Sequence, residues 1–141
     1  MRHRIFVLMV IMFGLVACSI NYDLIPISPV ASHQDYPDLV DSLQPTLEWN
    51  PYSGPDVTYD VIIYEGVRVK SPYGLSLEAK QLVSGKVVYS RQGIKEAKHK
   101  IEEPLQPNAE YIWSVRARTG GKVMSRTMTH NFPVFKTSGS K

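Results

Sequence analysis

Residues 110–119 read Glu-Tyr-Ile-Trp-Ser-Val-Arg-Ala-Arg-Thr, and they give the strongest indication of the fold. Every second side chain is apolar, and these side chains are Tyr111, Trp113, Val115 and Ala117. A period of two is typical of a β-strand that buries one of its faces. Aromatic and β-branched residues also favour strand over helix. The stretch therefore predicts a strand whose core face carries two large aromatic rings.

Similar short strands are predicted on both sides of this one, at residues 46–49, 58–65, 86–91, 98–101 and 123–136. Turn-forming residues separate them, as in the run 50–56 and in Gly120-Gly121. This spacing predicts an all-β fold, an antiparallel sandwich or barrel, in a chain of 141 residues that suffices for one ordinary domain. Residues 66–85 are long for a hairpin connection. We consider either a helix over residues 75–83 or another pair of strands there.

Three motifs, in this order along the chain, resemble the fibronectin type III family. Trp49 resembles the tryptophan of the family's second strand, and residues 59–64 resemble its third strand. Residues 105–117 are similar to its Leu-x-Pro-x-x-x-Tyr-x-aromatic-x-Val-x-Ala stretch. The resemblance implies an immunoglobulin-like (fibronectin type III-like) antiparallel β-sandwich over residues 43–137, with an insertion after the third strand. It also implies that the Tyr111 hydroxyl closes the corner before its strand.

The amino terminus has the parts of an export signal. A basic head is followed by the uncharged apolar run 5–17, whose 13 residues would rise about 20 Å as a helix, short of the ~30 Å of a bilayer core. The run ends in Leu15-Val16-Ala17-Cys18, which resembles the lipobox of bacterial lipoproteins. The resemblance implies removal of the signal peptide 1–17 and acylation of Cys18. The same resemblance implies that Ser19 directs the protein to the outer membrane, whereas Asp at this position would favour retention at the inner membrane.

The rest of the chain divides into three parts. Residues 18–42 are predicted to be a tether with an irregular first strand, 43–137 the sandwich, and 138–141 a disordered tail. The formal charge of +3 falls to +1 without the signal, because Arg2 and Arg4 leave with it. An exported protein of this charge has no expected nucleic-acid partner. Residues 18–66 contain eight acidic side chains and no Lys or Arg, whereas residues 67–141 contain 14 basic and five acidic side chains. This asymmetry predicts either that strands from the two parts pair and neutralise each other or that the second part forms a basic docking face.

Catalytic chemistry is not indicated by any motif. The histidines of the mature chain, His33, His99 and His130, lack metal-ligand spacing, and an acylated Cys18 is unavailable as a nucleophile. Residues 74–78 begin like a nucleophile elbow but have Glu78 where the second glycine belongs. We therefore predict no catalytic residue, no metal and no cofactor. The large aromatic residues are predicted to fill the core instead of binding a ligand, because a small domain depends on them for apolar burial.

One candidate surface remains on the outward face of two strands that the resemblance pairs. It consists of Ile62, Tyr64, Ile112, Arg116 and Arg118. Apolar and tyrosine side chains beside arginines are typical of protein interfaces. The competing interpretation is that residues 66–85 or the N-terminal segment fold over this surface and make it internal core.

These observations predict a lipoprotein anchored in a membrane of the bacterial envelope through Cys18. It would sit on the outer membrane, facing the periplasm or the cell surface, and present a non-catalytic sandwich to a protein or polysaccharide. The alternative is an envelope enzyme, or an enzyme subunit, that acts on glycans through an unrecognised site. A structural envelope protein without a discrete ligand is a third possibility.

Overall fold

The computed structural model describes residues 21–33, 36–71, 80–127 and 133–139, with the backbone alone for 21–23. Regular structure in these residues consists entirely of strands. They are β1 (Asn21–Leu24), β2 (Pro26–Ser28), β3 (Asp38–Val40), β4 (Thr46–Trp49), β5 (Thr58–Lys70), β6 (Lys80–Ile94), β7 (Lys98–Lys100), β8 (Glu110–Thr119), β9 (Lys122–Thr127) and β10 (Val134–Thr137). Within the same residues, no helix has the length and apolar character of a membrane span.

The strands form two sheets. In the large sheet β5 lies between β6 and β8, and the far side of β8 is covered by β9 along one half and by β10 along the other. These neighbours are antiparallel, whereas β1 and β3 extend the sheet by parallel pairing with β9 and β10. The small sheet has the order β2-β4-β7 and is antiparallel. The predicted all-β class and sandwich architecture are confirmed.

The core lies between the two sheets and is built around aromatic rings. Trp49 of the small sheet contacts Tyr59 edge-on, with ring centroids 5.2 Å apart, and lies 6.4 Å from the ring of Trp113 in the large sheet. The inward face of β8 is buried as its period of two predicts, and Trp49, Tyr59, Tyr111 and Trp113 are all core residues. Apolar burial on this scale is the main stabilising contribution to a sandwich of this size.

The corner before β8 is closed by Tyr111, as the resemblance of residues 105–117 implies. The Tyr111 hydroxyl accepts a hydrogen bond from the Gln106 backbone N–H at 2.9 Å and lies 3.3 Å from the carbonyl of the same residue. Thr137 of β10 reinforces the corner, because its hydroxyl donates to the Gln106 carbonyl at 2.6 Å. Asn108 takes the left-handed backbone conformation that a tight turn requires. The corner thereby fixes where β8 begins.

Residues 66–85 extend the β5–β6 hairpin. Strand β5 continues to Lys70 and β6 begins at Lys80, with Val67 opposite Val83 and Val69 opposite Gln81. The helix over residues 75–83 is therefore wrong for residues 80–83, and its first part lies outside the described residues. The alternative of another strand pair is correct where the structure describes the segment. Hairpin pairing and burial of Leu82 override a local helical preference that is weak in any case.

The segment predicted as a tether and an irregular first strand contains three strands. Strand β1 belongs to the large sheet, β2 to the small sheet, and β3 returns to the large sheet. The N-terminal segment thus crosses between the sheets. At the crossing, the indole N–H of Trp113 donates a buried hydrogen bond of 2.8 Å to the carbonyl of Pro29. Long-range contacts hold the segment to the core.

Candidate functional site

The outward faces of β5 and β8 are adjacent, as the candidate surface requires. The two strands pair with Asp60 opposite Arg116, Ile62 opposite Ser114 and Tyr64 opposite Ile112. Directly opposed residues of a sheet share a face, so these side chains lie on one surface. The pairing that the resemblance implied for the third and penultimate strands is therefore present.

Ile112 lies at the covered end of this surface. It packs against a small second core formed by Ala31, Leu82 and Val134. Leu82 comes from the extended hairpin and Ala31 from the N-terminal segment, so both of the proposed covering segments contribute. At this end the interpretation as internal core holds, and Ile112 is better described as part of that core than as a docking residue.

Arg118 is held within the protein. Its guanidinium forms an ion pair with the carboxylate of Asp60 and donates a second hydrogen bond, of 3.0 Å, to the carbonyl of Gly121. The Asp60 side chain is 6% exposed and that of Arg118 is 31% exposed. A buried carboxylate needs a charged partner, because removing it from water is costly. The first role of Arg118 is therefore structural, and it contributes only part of its surface to the face.

The accessible part of the surface lies nearer to β6 than the sequence predicted. Ile62, Tyr64 and Arg116 are half-buried, whereas Val87 of β6 lies opposite Tyr64 and is 54% exposed. We call Ile62, Tyr64, Val87 and Arg116 the outer patch. Register shifts on both sides of Tyr64 set the position of Val87. Its place beside Tyr64 could not be derived from alternation alone, because one extra residue moves every later side chain to the other face.

A second, polar concavity lies on the other side of the sandwich. It is an open groove of about 690 Å³, formed by β4, β7 and the end of β6 with the loop that follows it. Charged side chains dominate its lining, and they include Glu48, Arg91, Lys95, Glu96, Lys98, Lys100 and Glu102. Two ion pairs cross it, Arg91 with Glu102 at 3.5 Å and Lys98 with Glu96 at 3.9 Å. The groove therefore carries side chains of both charges, which partly neutralise each other.

His99, which the sequence left isolated, joins the two sheets at the base of this groove. Its Nε2 lies 2.6 Å from the hydroxyl of Tyr89, and the two rings stack with centroids 5.9 Å apart. Burial lowers the pKa of His99 and raises the pKa of Tyr89. The fold therefore favours the neutral forms of both groups, which suits a structural hydrogen bond between β7 and β6.

His99 should make the stability of the fold depend on pH. Because its folded-state pKa is lowered, His99 stabilises the fold above its ordinary pKa of about 6.5. That contribution is lost as the pH falls below this value through the lower folded-state pKa. We expect the Tm of the wild type to fall more on mild acidification than that of His99→Gln, measured by circular dichroism. His33→Gln, which removes an exposed histidine, is the control and should keep the acid sensitivity of the wild type. Equal acid sensitivity in the wild type and His99→Gln would contradict the assignment of this pH dependence to His99.

Metal ligands do not cluster in the part of the chain that the structure describes, where no group of three or more histidine, cysteine, aspartate and glutamate side chains could hold an ion. Cys18, His130 and the incomplete nucleophile elbow at residues 74–78 lie outside the described residues. Val87 of the outer patch is one of the exposed large apolar side chains among the described residues. A comparison of the chain with family models, with curated proteins and with solved structures finds no significant match.

Proposed function

We propose that the protein is a lipid-anchored docking module of the bacterial envelope, which presents its sandwich to a partner protein through the outer patch. The anchor is the acylated Cys18 that the lipobox-like sequence implies. Every described strand follows Cys18, so removal of residues 1–17 would leave the two sheets complete. Two or more acyl chains hold a protein stably on a bilayer without a spanning segment.

The observation that carries the docking role is the exposure of Val87 beside Tyr64 and Ile62 on a sheet face. Aliphatic side chains gain from leaving water, at about 25 cal/mol for each Å² buried. Arg116, on the neighbouring strand, adds a cationic group of the kind enriched at protein interfaces. A partner protein fits this chemistry better than a polysaccharide, since sugar hydroxyls placed against Val87 and Ile62 would lose hydrogen bonds to water.

The likeness to fibronectin type III domains is itself part of the proposal. It is supported by the corner hydrogen bond of Tyr111, by the burial of Trp49 and by the pairing of β5 with β8. Folds of this kind host many functions, so the function depends on the residues of the site and not on the fold alone. The outer patch supplies that site.

Val87→Lys tests the proposal, because it places a charge in the outer patch without touching the core. We expect recovery of the partner protein from crosslinked cells to fall about tenfold, equivalent to about 1.4 kcal/mol of binding free energy. Leu39→Lys is the matched control, since Leu39 is 64% exposed on β3, at the opposite edge of the same sheet. An equal loss in both variants, or no loss in Val87→Lys, would argue against the outer patch.

A further inference from the structure

The β5–β6 hairpin continues past the point where β5 leaves its other neighbour. Pairing of β5 with β8 ends at Glu65, whereas its pairing with β6 goes on to Lys70 opposite Lys80. We call residues 66–70 and 80–84, which pair in continuous register, the hairpin arm. A ribbon of two strands is marginally stable by itself, and a third strand with apolar contacts stabilises it. The hairpin arm is therefore a place where the fold gains from a further strand.

The outer edge of β6 is open along the hairpin arm. In the part of the chain that the structure describes, β6 pairs with β5 alone. On the other side of the arm, the guanidinium of Arg68 donates two hydrogen bonds of 2.9 Å to the carboxylate of Glu110, at the start of β8. Backbone N–H and C=O groups along an open edge are a template for an added strand. Residues 80–84 thus provide the edge at which such a strand can pair.

The two faces of the hairpin arm differ in chemistry. Directly opposed residues share a face, and successive pairs alternate between the faces. One face carries Val67 and Val69, each 38% exposed, with Val83 opposite Val67. The other face carries Lys70 directly opposite Lys80, and both lysines are exposed. A strand added at the edge would therefore meet valines on one face and lysines on the other.

Charge distinguishes between a second copy of this chain and a different protein as the source of the added strand. A second copy would add another Lys70 and another Lys80 to a ribbon that already has two lysines side by side. Lysines on an edge strand oppose self-association of this kind. Acidic side chains beside the same lysines would instead be attracted to them. The charge of the arm therefore favours an acidic segment of another protein.

We propose that the hairpin arm binds an extended segment of a partner protein as an added strand along β6, and that this segment alternates apolar with acidic residues. Its backbone pairs with residues 80–84. Its apolar side chains cover Val67 and Val83, and its acidic side chains lie beside Lys70 and Lys80. In strand addition the main chain supplies affinity and the alternate side chains supply specificity. The hairpin arm shares no residue with the outer patch, so this site does not depend on the proposed docking role or on lipidation.

The experiment measures, by fluorescence anisotropy, the binding of a labelled peptide of alternating valine and glutamate, about seven residues long. The protein is residues 18–141 with Cys18→Ser, which contains every described strand. We expect the peptide to bind and to slow hydrogen exchange at backbone amides of residues 80–84. An alternating valine–lysine peptide should bind about tenfold more weakly, because its charge is wrong. The valine–glutamate peptide N-methylated at every residue keeps its side chains but loses its backbone donors, and it should also bind about tenfold more weakly.

Two double variants test the position of the site. Lys70→Glu with Lys80→Glu should reverse the preference, so that the valine–lysine peptide binds more tightly than the valine–glutamate peptide. Lys95→Glu with Lys122→Glu makes the same change of charge at exposed positions outside the hairpin arm. This control should change binding of either peptide by less than about twofold, since distant surface charges are screened by salt. Circular dichroism checks that both variants stay folded.

Four results would overturn the inference. They are no binding of the valine–glutamate peptide, equal binding of its N-methylated form, equal effects of the two double variants, and a dimer that protects the amides of residues 80–84 without peptide. The last result would make a second copy of this chain the occupant of the edge. Val87→Lys, which tests the outer patch, leaves the hairpin arm unchanged, so failure at one surface is distinguishable from failure at the other.

Discussion

Trp113→Ala is expected to lower the free energy of unfolding by about 3–5 kcal/mol, a large share of the stability of a domain this size. The indole is fully buried between the sheets, close to Trp49. Truncation leaves a cavity, and the surrounding strands can fill it only in part. It also removes the hydrogen bond to the Pro29 carbonyl and leaves a buried acceptor unpaired.

Urea denaturation followed by circular dichroism measures the effect. Trp113→Phe, which keeps most of the apolar volume but loses the indole N–H, should fall between the wild type and Trp113→Ala. Leu39→Ala serves as the control, because Leu39 is exposed on an edge strand and should change stability by less than about 0.5 kcal/mol. A Trp113→Ala protein with the wild-type urea midpoint would show that the Trp113 ring does not stabilise the core.

Arg118→Met is expected to cost about 3 kcal/mol, the second large effect. The substitution retains an aliphatic stem but leaves the buried carboxylate of Asp60 without its cation. The backbone N–H of Gly93, at 3.4 Å from Asp60, is too weak a donor to replace a guanidinium. A carboxylate left uncompensated in the folded protein favours the unfolded chain, where water solvates it.

A double-mutant cycle separates loss of the ion pair from loss of packing. Asp60→Asn combined with Arg118→Met removes both charges and should recover a substantial part of the single-variant loss. Arg91→Met is the matched control, because the Arg91–Glu102 pair is about half exposed on both sides and should contribute less than about 1 kcal/mol. Equal costs for Arg118→Met and Arg91→Met would mean that the burial of Asp60 has no energetic consequence.

Elements with a strong local pattern were predictable from the amino-acid sequence. Strand β8 was predictable because its apolar residues alternate over the whole strand, and the Tyr111 corner was implied by the resemblance of residues 105–117 to fibronectin type III domains. The extended hairpin was less predictable. Residues 75–83 can form helix or strand by local preference, and pairing with β5 decides the matter where the structure describes it.

The candidate site was predicted in part, for the same reason. Alternation and the resemblance together predicted that Ile62, Tyr64 and Arg116 share one face, and the pairing of β5 with β8 places them there. They could not show that Leu82 and Ala31 cover Ile112, nor that register shifts beside Tyr64 bring Val87 to the exposed edge. Those outcomes depend on contacts between segments far apart in the chain.

Local patterns in the amino-acid sequence suffice for the all-β class, the aromatic core and the inward and outward faces of the main strands, because a period of two and turn chemistry depend on neighbouring residues. Contacts between distant segments bring Asp60 to Arg118, hold the N-terminal segment to Trp113 and pair β1 in parallel with β9. Such contacts escape local patterns because register and burial arise from long-range pairing, in which the free energy of the whole sandwich selects among partners that are locally equivalent.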